Sequence, residues 1–201
     1  MTRLPESIRR LIEQLSDLPS LGPRQARRLV FHLIGLGKNS IHDLAMSMRA
    51  LEGVKICSQC FFVHENEGLL CDICGNAARK KGVIALVEKE TDLLSIEHTG
   101  KFSGRYLILG SISKTGLLEE WQKLRLQALK NFAAKELGGK ADEIIIALNP
   151  TANGDFHASA LMRELRPIAQ KITRLGRGLP SGGEIEFADD ETLGSALEKR
   201  S

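Results

Sequence analysis

The chain has 201 residues, 42% hydrophobic and 26% charged, with a net charge of +3, a composition that fits a soluble globular protein long enough to bury a real core. The N-terminal stretch MTRLPESIRRL carries charges at Arg3, Glu6, Arg9 and Arg10 with no apolar run behind them, so no signal peptide is expected there. The longest apolar runs, such as IIIAL at 144–148, fall far short of the roughly 20 residues a membrane span needs, so a cytoplasmic location is expected.

Charge is distributed unevenly. Residues 1–50 hold 8 Lys/Arg against 4 Asp/Glu, whereas residues 51–201 hold 20 against 21. An excess confined to one end suits a polyanionic partner, although a solvated basic face would produce the same balance.

In chain order, the first segment reads as two helices around a tight turn. Leu4, Ile8, Leu11, Ile12 and Leu15 share one helical face, and Ala26, Leu29, Val30, Leu33 and Ile34 share another. Between them, LPSLGPR places Gly22 before Pro23, a residue suited to the first helical position. This is the shape of a helix-hairpin-helix. The free N–H groups at the start of the second helix can meet a phosphate, and Arg24 and Arg28 lie four apart on one face with Arg27 beside them. Gly22, Arg24, Arg27 and Arg28 are therefore the candidate DNA-binding residues. Contacts of this kind grip the backbone and carry no sequence information. A plain helical hairpin with arginines on its wet side is the competing reading. A further helix follows at SIHDLAMSMRAL, with Ser40 and Asp43 as its capping box and Ile41, Leu44, Ala45 and Met48 as expected core.

All four cysteines fall at Cys57, Cys60, Cys71 and Cys74, in a C-x2-C-x10-C-x2-C pattern. Two facing CxxC pairs are the ligand set of a closed structural zinc site. A redox centre of the thioredoxin kind needs one such pair, and disulfides need an oxidising compartment. Gly68 and Gly75 are expected to supply the tight turns, and His64 is a nearby alternative ligand. A segment this small cannot bury enough apolar surface to fold alone, so metal binding supplies its folding free energy.

Beyond the cysteines, short apolar runs at 82–88, 105–112, 143–149 and 171–175 alternate with helical segments near 90–98, 116–137 and 155–170. Strands alternating with helices predict a parallel sheet covered on both faces, with functional groups at the C-terminal strand ends. Two such ends are polar: Glu88, and the turn from Asn149 to Asp155. Glu88 with Asp155 is a candidate Mg²⁺ site, thinly supplied because Asn149, Thr151 and Asn153 are neutral. No Gly-Lys pair completes a phosphate-binding loop: Gly37-Lys38, Gly100-Lys101 and Gly139-Lys140 are followed by Asn39, Phe102 and Ala141. The glycine-rich stretch 175–187 reads as a loop or interface arm. Trp121 and Tyr106 read as packing residues, and Arg163, Arg166, Lys171, Arg174 and Arg177 as a solvated basic face or the lining of a DNA channel. His32, His42, His98 and His157 show no partner pattern.

Taken together, these motifs make the chain resemble the RecR family of bacterial recombination mediators over nearly its full length. LPSLGPRQARRLVFHL resembles the family's helix-hairpin-helix, the four cysteines its zinc motif, ALNPTANGDFHASAL its Toprim turn, and TRLGRGLPSGGEIEFADDETLGSALEKR its C-terminal signature. The resemblance implies an α/β fold with an N-terminal helix-hairpin-helix (1–53), a small C4 zinc finger (54–78), a Toprim-type parallel sheet domain (79–176) and a C-terminal oligomerisation arm (177–201). It further implies a homotetrameric ring around DNA, without enzyme activity, that works with RecO and RecF to load RecA on single strands coated by SSB. Arg174, Arg177 and Gly178 fall on the family's tail pattern. Catalytic Toprim proteins carry Asp-x-Asp where this chain has Asn149-Pro150-Thr151, a loss that RecR proteins share; where they continue Glu-Gly-Glu, this chain has Asn153-Gly154-Asp155. Leu107 stands where a histidine usually follows the tyrosine, here Tyr106. Three functions stay open at this point: a DNA-binding mediator, a scaffold that meets DNA mainly through RecO, and a Mg²⁺-dependent Toprim nicking enzyme.

Overall fold

Helical apolar spacing in the first quarter of the chain produces α1 (Glu6–Ser16), α2 (Pro23–Leu36) and α3 (Lys38–Ala50). The computed structural model describes residues 4–113, 117–198 and 200. The chain divides into two compact units, Met1–Val54 and Lys55–Ser201. In the first, Pro23 opens α2 as anticipated, and Gly37 ends it at a φ of +90° that a side chain would strain. The capping box expected at Ser40 and Asp43 does not form. Helix α3 already starts at Lys38, and the Ser40 hydroxyl donates back to the Leu36 carbonyl at 3.3 Å. The expected core residues of α3 are also not core. Ile41, Leu44, Ala45 and Met48 line an open apolar groove of about 310 Å³ with side chains of α1 and α2, and Met48 is 59% exposed. Across α1, α2 and α3 only Ala26 and Val30 are buried.

The second unit begins with a short antiparallel ribbon, β1 (Lys55–Ile56) and β2 (Val63–His64), and a single helical turn, α4 (Asp72–Gly75). Then come β3 (Val83–Val87), α5 (Glu90–His98), β4 (Arg105–Ile108), α6 (Glu120–Glu136), β5 (Ala141–Ala147), α7 (Ala152–Leu165), β6 (Ala169–Arg174) and α8 (Asp190–Glu198). The four longer strands form one parallel sheet in the order β4-β3-β5-β6. Strand β3 pairs with β4 on one side (Leu86 opposite Leu107) and with β5 on the other (Leu86 opposite Ile146).

Boundaries shift for local reasons. Strand β4 stops at Ile108 rather than 112 because Gly110 turns the chain at a φ of +93°, with the Trp121 ring packed against it. Helix α7 starts at Ala152, ahead of 155, because Thr151 caps it by accepting the Gly154 N–H. The start expected for α6 near 116 lies outside the described residues, and the helix runs from Glu120.

The sheet is apolar on both faces, which is why its strands read as continuous runs rather than alternating ones. Ile84, Leu86, Leu107, Ile144 and Ile146 point to Leu126 and Leu129 of α6 and Leu161 and Leu165 of α7. Ala85, Val87, Tyr106 and Ile108 point the other way, to Leu93 of α5 and to the four cysteines. One face of the sheet is thus covered partly by helix and partly by the thiol cluster.

Gly154 marks the tightest approach to another stretch of backbone. A Cβ there would lie 2.0 Å from the Asn149 carbonyl oxygen, whereas Gly68 has nothing within 4 Å. Gly154→Ala is therefore expected to cost about 1–3 kcal/mol in chemical denaturation, and Gly68→Ala less than about 0.5 kcal/mol.

Candidate functional sites on the hairpin, the thiol cluster and the strand ends

The hairpin turn differs from expectation in one residue. Its left-handed position is Ser20, at a φ of +65°, while Gly22 is extended at φ −75°, ψ 166° and serves as the N-terminal boundary of α2. The reason for glycine is therefore space: a Cβ would crowd the Gln25 side chain at 3.1 Å. No side chain caps α2, which leaves its first N–H groups free for an anion. Arg24, Arg27 and Arg28 are all exposed, Arg24 and Arg28 on the face away from the buried Ala26 and Val30 and Arg27 on its flank. Among the described residues none of the three forms an ion pair, in contrast to Arg9 of α1, which is held by Glu6 at 2.7 Å and Glu13 at 3.3 Å. Three unneutralised cations beside an uncapped helix start form an exposed cationic surface.

The thiol cluster is built by the ribbon and α4. The turn between β1 and β2 is made by Phe61 at a φ of +64°, not by Gly68 or Gly75 as expected. The Cys57 N–H donates to the Phe62 carbonyl at 2.8 Å, and the Gly75 N–H to the Cys71 carbonyl at 2.8 Å, so each CxxC pair is folded back on itself. Cys57, Cys60, Cys71 and Cys74 are all free thiols, 0–2% exposed. Their sulfurs lie within 4.8 Å of one another, with Cys60 and Cys71 at 3.4 Å. A tetrahedral site with metal–sulfur bonds of about 2.3 Å needs sulfurs about 3.8 Å apart, so the four are placed to hold a metal ion. Hydrogen bonding among the sulfurs, chiefly from Cys60, pulls the Cys57 thiol well below its ordinary range, while that with Cys57 pushes Cys60 well above it. The quartet gives up its first protons readily and resists losing the last, a cost that a bound cation offsets. His64 is outside the quartet: its Nδ1 accepts the Asn66 N–H at 3.2 Å.

At the strand ends, the carboxylates considered for Mg²⁺ are engaged by the protein. Glu88 accepts the Ile112 N–H at 3.3 Å with one oxygen and the Asn149 amide at 3.2 Å with the other. Thr151 is spent as the cap of α7, and Asn153 donates to the Ser113 carbonyl at 3.4 Å. Asp155 is gripped by two guanidinium groups, Arg174 at the end of β6 and Arg177 beyond it. The geometry joins Glu88 to Asn149 and turns Asp155 toward the arginines. Among the described residues, the cysteines are the one grouping of three or more His, Cys, Asp or Glu side chains suited to a metal.

Arg174 and Arg177, which the chain order places on a solvated basic face, are instead partly covered and paired; Lys171 pairs with Glu143 at 3.6 Å. Arg177 also reaches Glu191 of α8 at 2.9 Å, so Asp155, Arg177 and Glu191 form a relay that fastens the C-terminal segment to α7. The His157 ring, 1% exposed, meets the Ser113 carbonyl at 3.0 Å, a partner not visible in the chain order. Trp121, expected to pack, is 42% exposed, with its ring against Gly110 and beneath the Arg125 guanidinium.

The Arg177 and Arg174 guanidinium groups hold the Asp155 carboxyl below the usual carboxylate range. A depressed folded-state value means that the attachment is intact above the ordinary carboxylate pKa of about 3.9 and is lost as pH falls through the lowered value. Asp155→Asn should therefore accelerate backbone amide exchange across 178–198 at pH 7, with little change in the sheet strands. The natural chain should show the same loosening only under strongly acid conditions.

Comparison with known proteins agrees with this architecture. Family models described as RecR, helix-hairpin-helix, as Toprim domain and as RecR, C-terminal match residues 8–51, 82–176 and 178–201. The chain is 40% identical over 199 residues to the recombination protein RecR of Roseiflexus castenholzii, covering 98% of this chain and 94% of that one. It is 38% identical over 204 residues to the recombination protein RecR of Dehalococcoides mccartyi, covering 99% and 97%. Matches at this level along nearly the whole length of both chains leave one assignment: the chain belongs to the RecR family.

Proposed function

We propose that this chain is a recombination mediator of DNA repair that binds DNA without catalysing a reaction on it. The observation that carries the reading is the hairpin: Arg24, Arg27 and Arg28 stand exposed and unpaired beside the uncapped start of α2, with Gly22 leaving room for close approach. A site that grips phosphates rather than base edges suits binding to single- and double-stranded DNA irrespective of sequence. Absence of catalysis is supported by the protein donors that occupy Glu88 and by the arginines that hold Asp155. The metal is zinc in this reading, one structural ion per chain held by Cys57, Cys60, Cys71 and Cys74, because four thiolates and a closed shell suit it.

The partners follow from family membership: RecO and RecF in the cytoplasm, with RecA loaded onto gaps coated by SSB. Glu88, Asn149, Thr151, Asn153 and Asp155 form the vestigial Toprim edge available to a partner. Assembly as a homotetrameric ring is supported by the open apolar groove of the N-terminal unit, which a single copy leaves uncovered. The functional parts are taken as 1–53 for DNA, 54–78 for zinc, 79–176 for the Toprim sheet and 177–201 for assembly.

The test is fluorescence anisotropy with labelled single- and double-stranded DNA at several salt concentrations. Binding should weaken steeply with salt. Arg24→Ala/Arg28→Ala should weaken it several-fold and flatten the log–log salt slope by about 0.9 for each duplex phosphate that the variant no longer neutralises. Tight binding left unchanged in the double variant would overturn the hairpin assignment. Binding only after RecO is added would favour the scaffold. Chelation of the metal is expected to lower the melting temperature and to increase binding of a hydrophobic dye, because the cysteines form part of the sheet's cover.

A further inference from the structure

A zinc ion bound by four thiolates leaves roughly two elementary charges of excess negative charge on the centre. Here that charge is buried: the cysteines are 0–2% exposed and share a core cluster with Val87, Leu93 and Ile108. A charge in such surroundings is expensive unless the fold places opposite charge nearby. Backbone N–H groups answer part of it, with Phe62 donating to Cys60 at 3.5 Å and the N–H groups of Cys60 and Cys74 turned to the Cys57 and Cys71 sulfurs, but these are dipoles and bring no full positive charge.

Covered cations in the second unit fall into two sets. Arg79, Lys130, Arg174 and Arg177 each pair with a carboxylate, namely Glu97, Glu164 and, for the last two, Asp155. Arg105 and Arg125 pair with none among the described residues. Both sit against the knuckle, on either side of Cys60. Arg105, 6% exposed, donates through Nη1 to the Gln59 side chain at 2.8 Å, and its Nε, fully enclosed, has no partner. It lines a small cavity of about 20 Å³ together with Cys74. Arg125 stacks over the Phe61 ring at 4.9 Å and donates to the Ile108 carbonyl at 2.9 Å. Ile108 in turn donates its N–H to the Cys60 carbonyl at 2.9 Å. The residues Gln59, Cys60 and Phe61 are thus held in turn by Arg105, by the β4 backbone and by Arg125.

We infer that Arg105 and Arg125 are the counter-charges of the metal centre, positioning residues that hold its excess negative charge within the core without touching the metal. The inference rests on the reading of the four cysteines as a zinc site. Two otherwise unpaired guanidinium groups match the sign and size of the charge to be balanced. Arginine suits the place because it stays protonated when covered and spreads its charge over a planar fork that stacks on aromatic rings. Burial draws the Arg125 guanidinium below its usual pKa, with the Glu90 carboxylate acting against it, the behaviour of a cation in need of nearby negative charge. The predicted consequence is electrostatic: removal of either charge weakens metal retention even where the packing of the stem is kept.

The experiment compares Arg105→Met and Arg125→Met, which keep an apolar stem, with Arg105→Lys and Arg125→Lys, which keep the charge. Full-length protein loaded with zinc is titrated with a chromogenic chelator, and the pH of half-release is recorded for each. The Met variants should lose about 10–100-fold in zinc affinity and release the metal at higher pH, because protons compete better for uncompensated thiolates; the Lys variants should recover most of both. Equal losses in Met and Lys variants with an unchanged release pH would overturn the inference and leave the arginines as packing residues. If Arg105→Met fails to fold, the partly exposed Arg125 pair decides by the same criteria. Natural protein that binds no zinc at one equivalent would instead overturn the zinc reading itself, an outcome separate from any behaviour of the variants.

Discussion

The structure depends on one constraint: a parallel sheet must be covered on both faces. In this chain α6 and α7 cover one face with large aliphatic side chains. The other face has α5 and, over β3 and β4, a ribbon of about twenty residues whose buried content is largely sulfur. A segment with so few apolar side chains cannot maintain its shape by hydrophobic burial alone. A metal held by the cysteines is therefore a support for the sheet as well as for the knuckle, and anything that weakens it uncovers Ala85, Val87, Tyr106 and Ile108. The bond between the Ile108 N–H and the Cys60 carbonyl makes this coupling direct, because a ligand residue is tied to the backbone of a strand.

The same economy governs the strand ends. In a doubly covered parallel sheet the C-terminal ends of the strands are where polar groups gather. Glu88 and Asp155 are there, yet each carboxylate is answered within the chain, one by an amide and a backbone N–H, the other by two arginines. A carboxylate that already has its donors gains little from a cation and would have to give up its present partners to bind one. What the edge provides is attachment: through Arg177 and Glu191 the segment containing α8 is tied to the start of α7.

Much of this is legible in the chain order, and the exceptions have physical causes. Cysteine spacing announces a metal site because ligand geometry restricts the spacings that work, and continuous apolar runs announce a buried sheet. Helix α5 lies where its pattern places it, at Glu90–His98. The turn residues are less legible: glycines at Gly68 and Gly75 suggest the tight points, but the left-handed positions fall to Ser20 and Phe61, whose strain the surrounding hydrogen bonds and packing offset. The apolar stripe of α3 signals a covered face without saying whether this copy covers it, which is why Met48 reads as core and is exposed. The roles of Arg105, Arg125, Arg174 and Arg177 cannot be read in advance. Their partners are remote in sequence, Gln59 lying 46 residues from Arg105 and Asp155 22 from Arg177, and an arginine in a one-dimensional pattern looks solvated whether or not it is.

The arginines of the two units illustrate how the same side chain takes opposite roles according to what surrounds it. Arg24, Arg27 and Arg28 project from a helix whose buried face is two residues wide, Ala26 and Val30, and nothing among the described residues neutralises them. Their charge is available to an external polyanion, and the gain on contact comes largely from released counterions, so it is strong at low salt and indifferent to sequence. Arg105 is buried and Arg125 half-buried, against the Phe132, Phe61 and Trp121 rings and the Ile108 carbonyl, where water screens them far less than it does the hairpin arginines. On the proposed function, charge of one sign is thus divided between a surface left unpaired for an external polyanion and an interior that tolerates it because an opposite charge is fixed nearby. The uneven charge along the chain reflects only the first of these. The second is hidden within a stretch whose acids and bases nearly cancel, 20 basic against 21 acidic residues, because the thiolates that balance it are not counted among the acids.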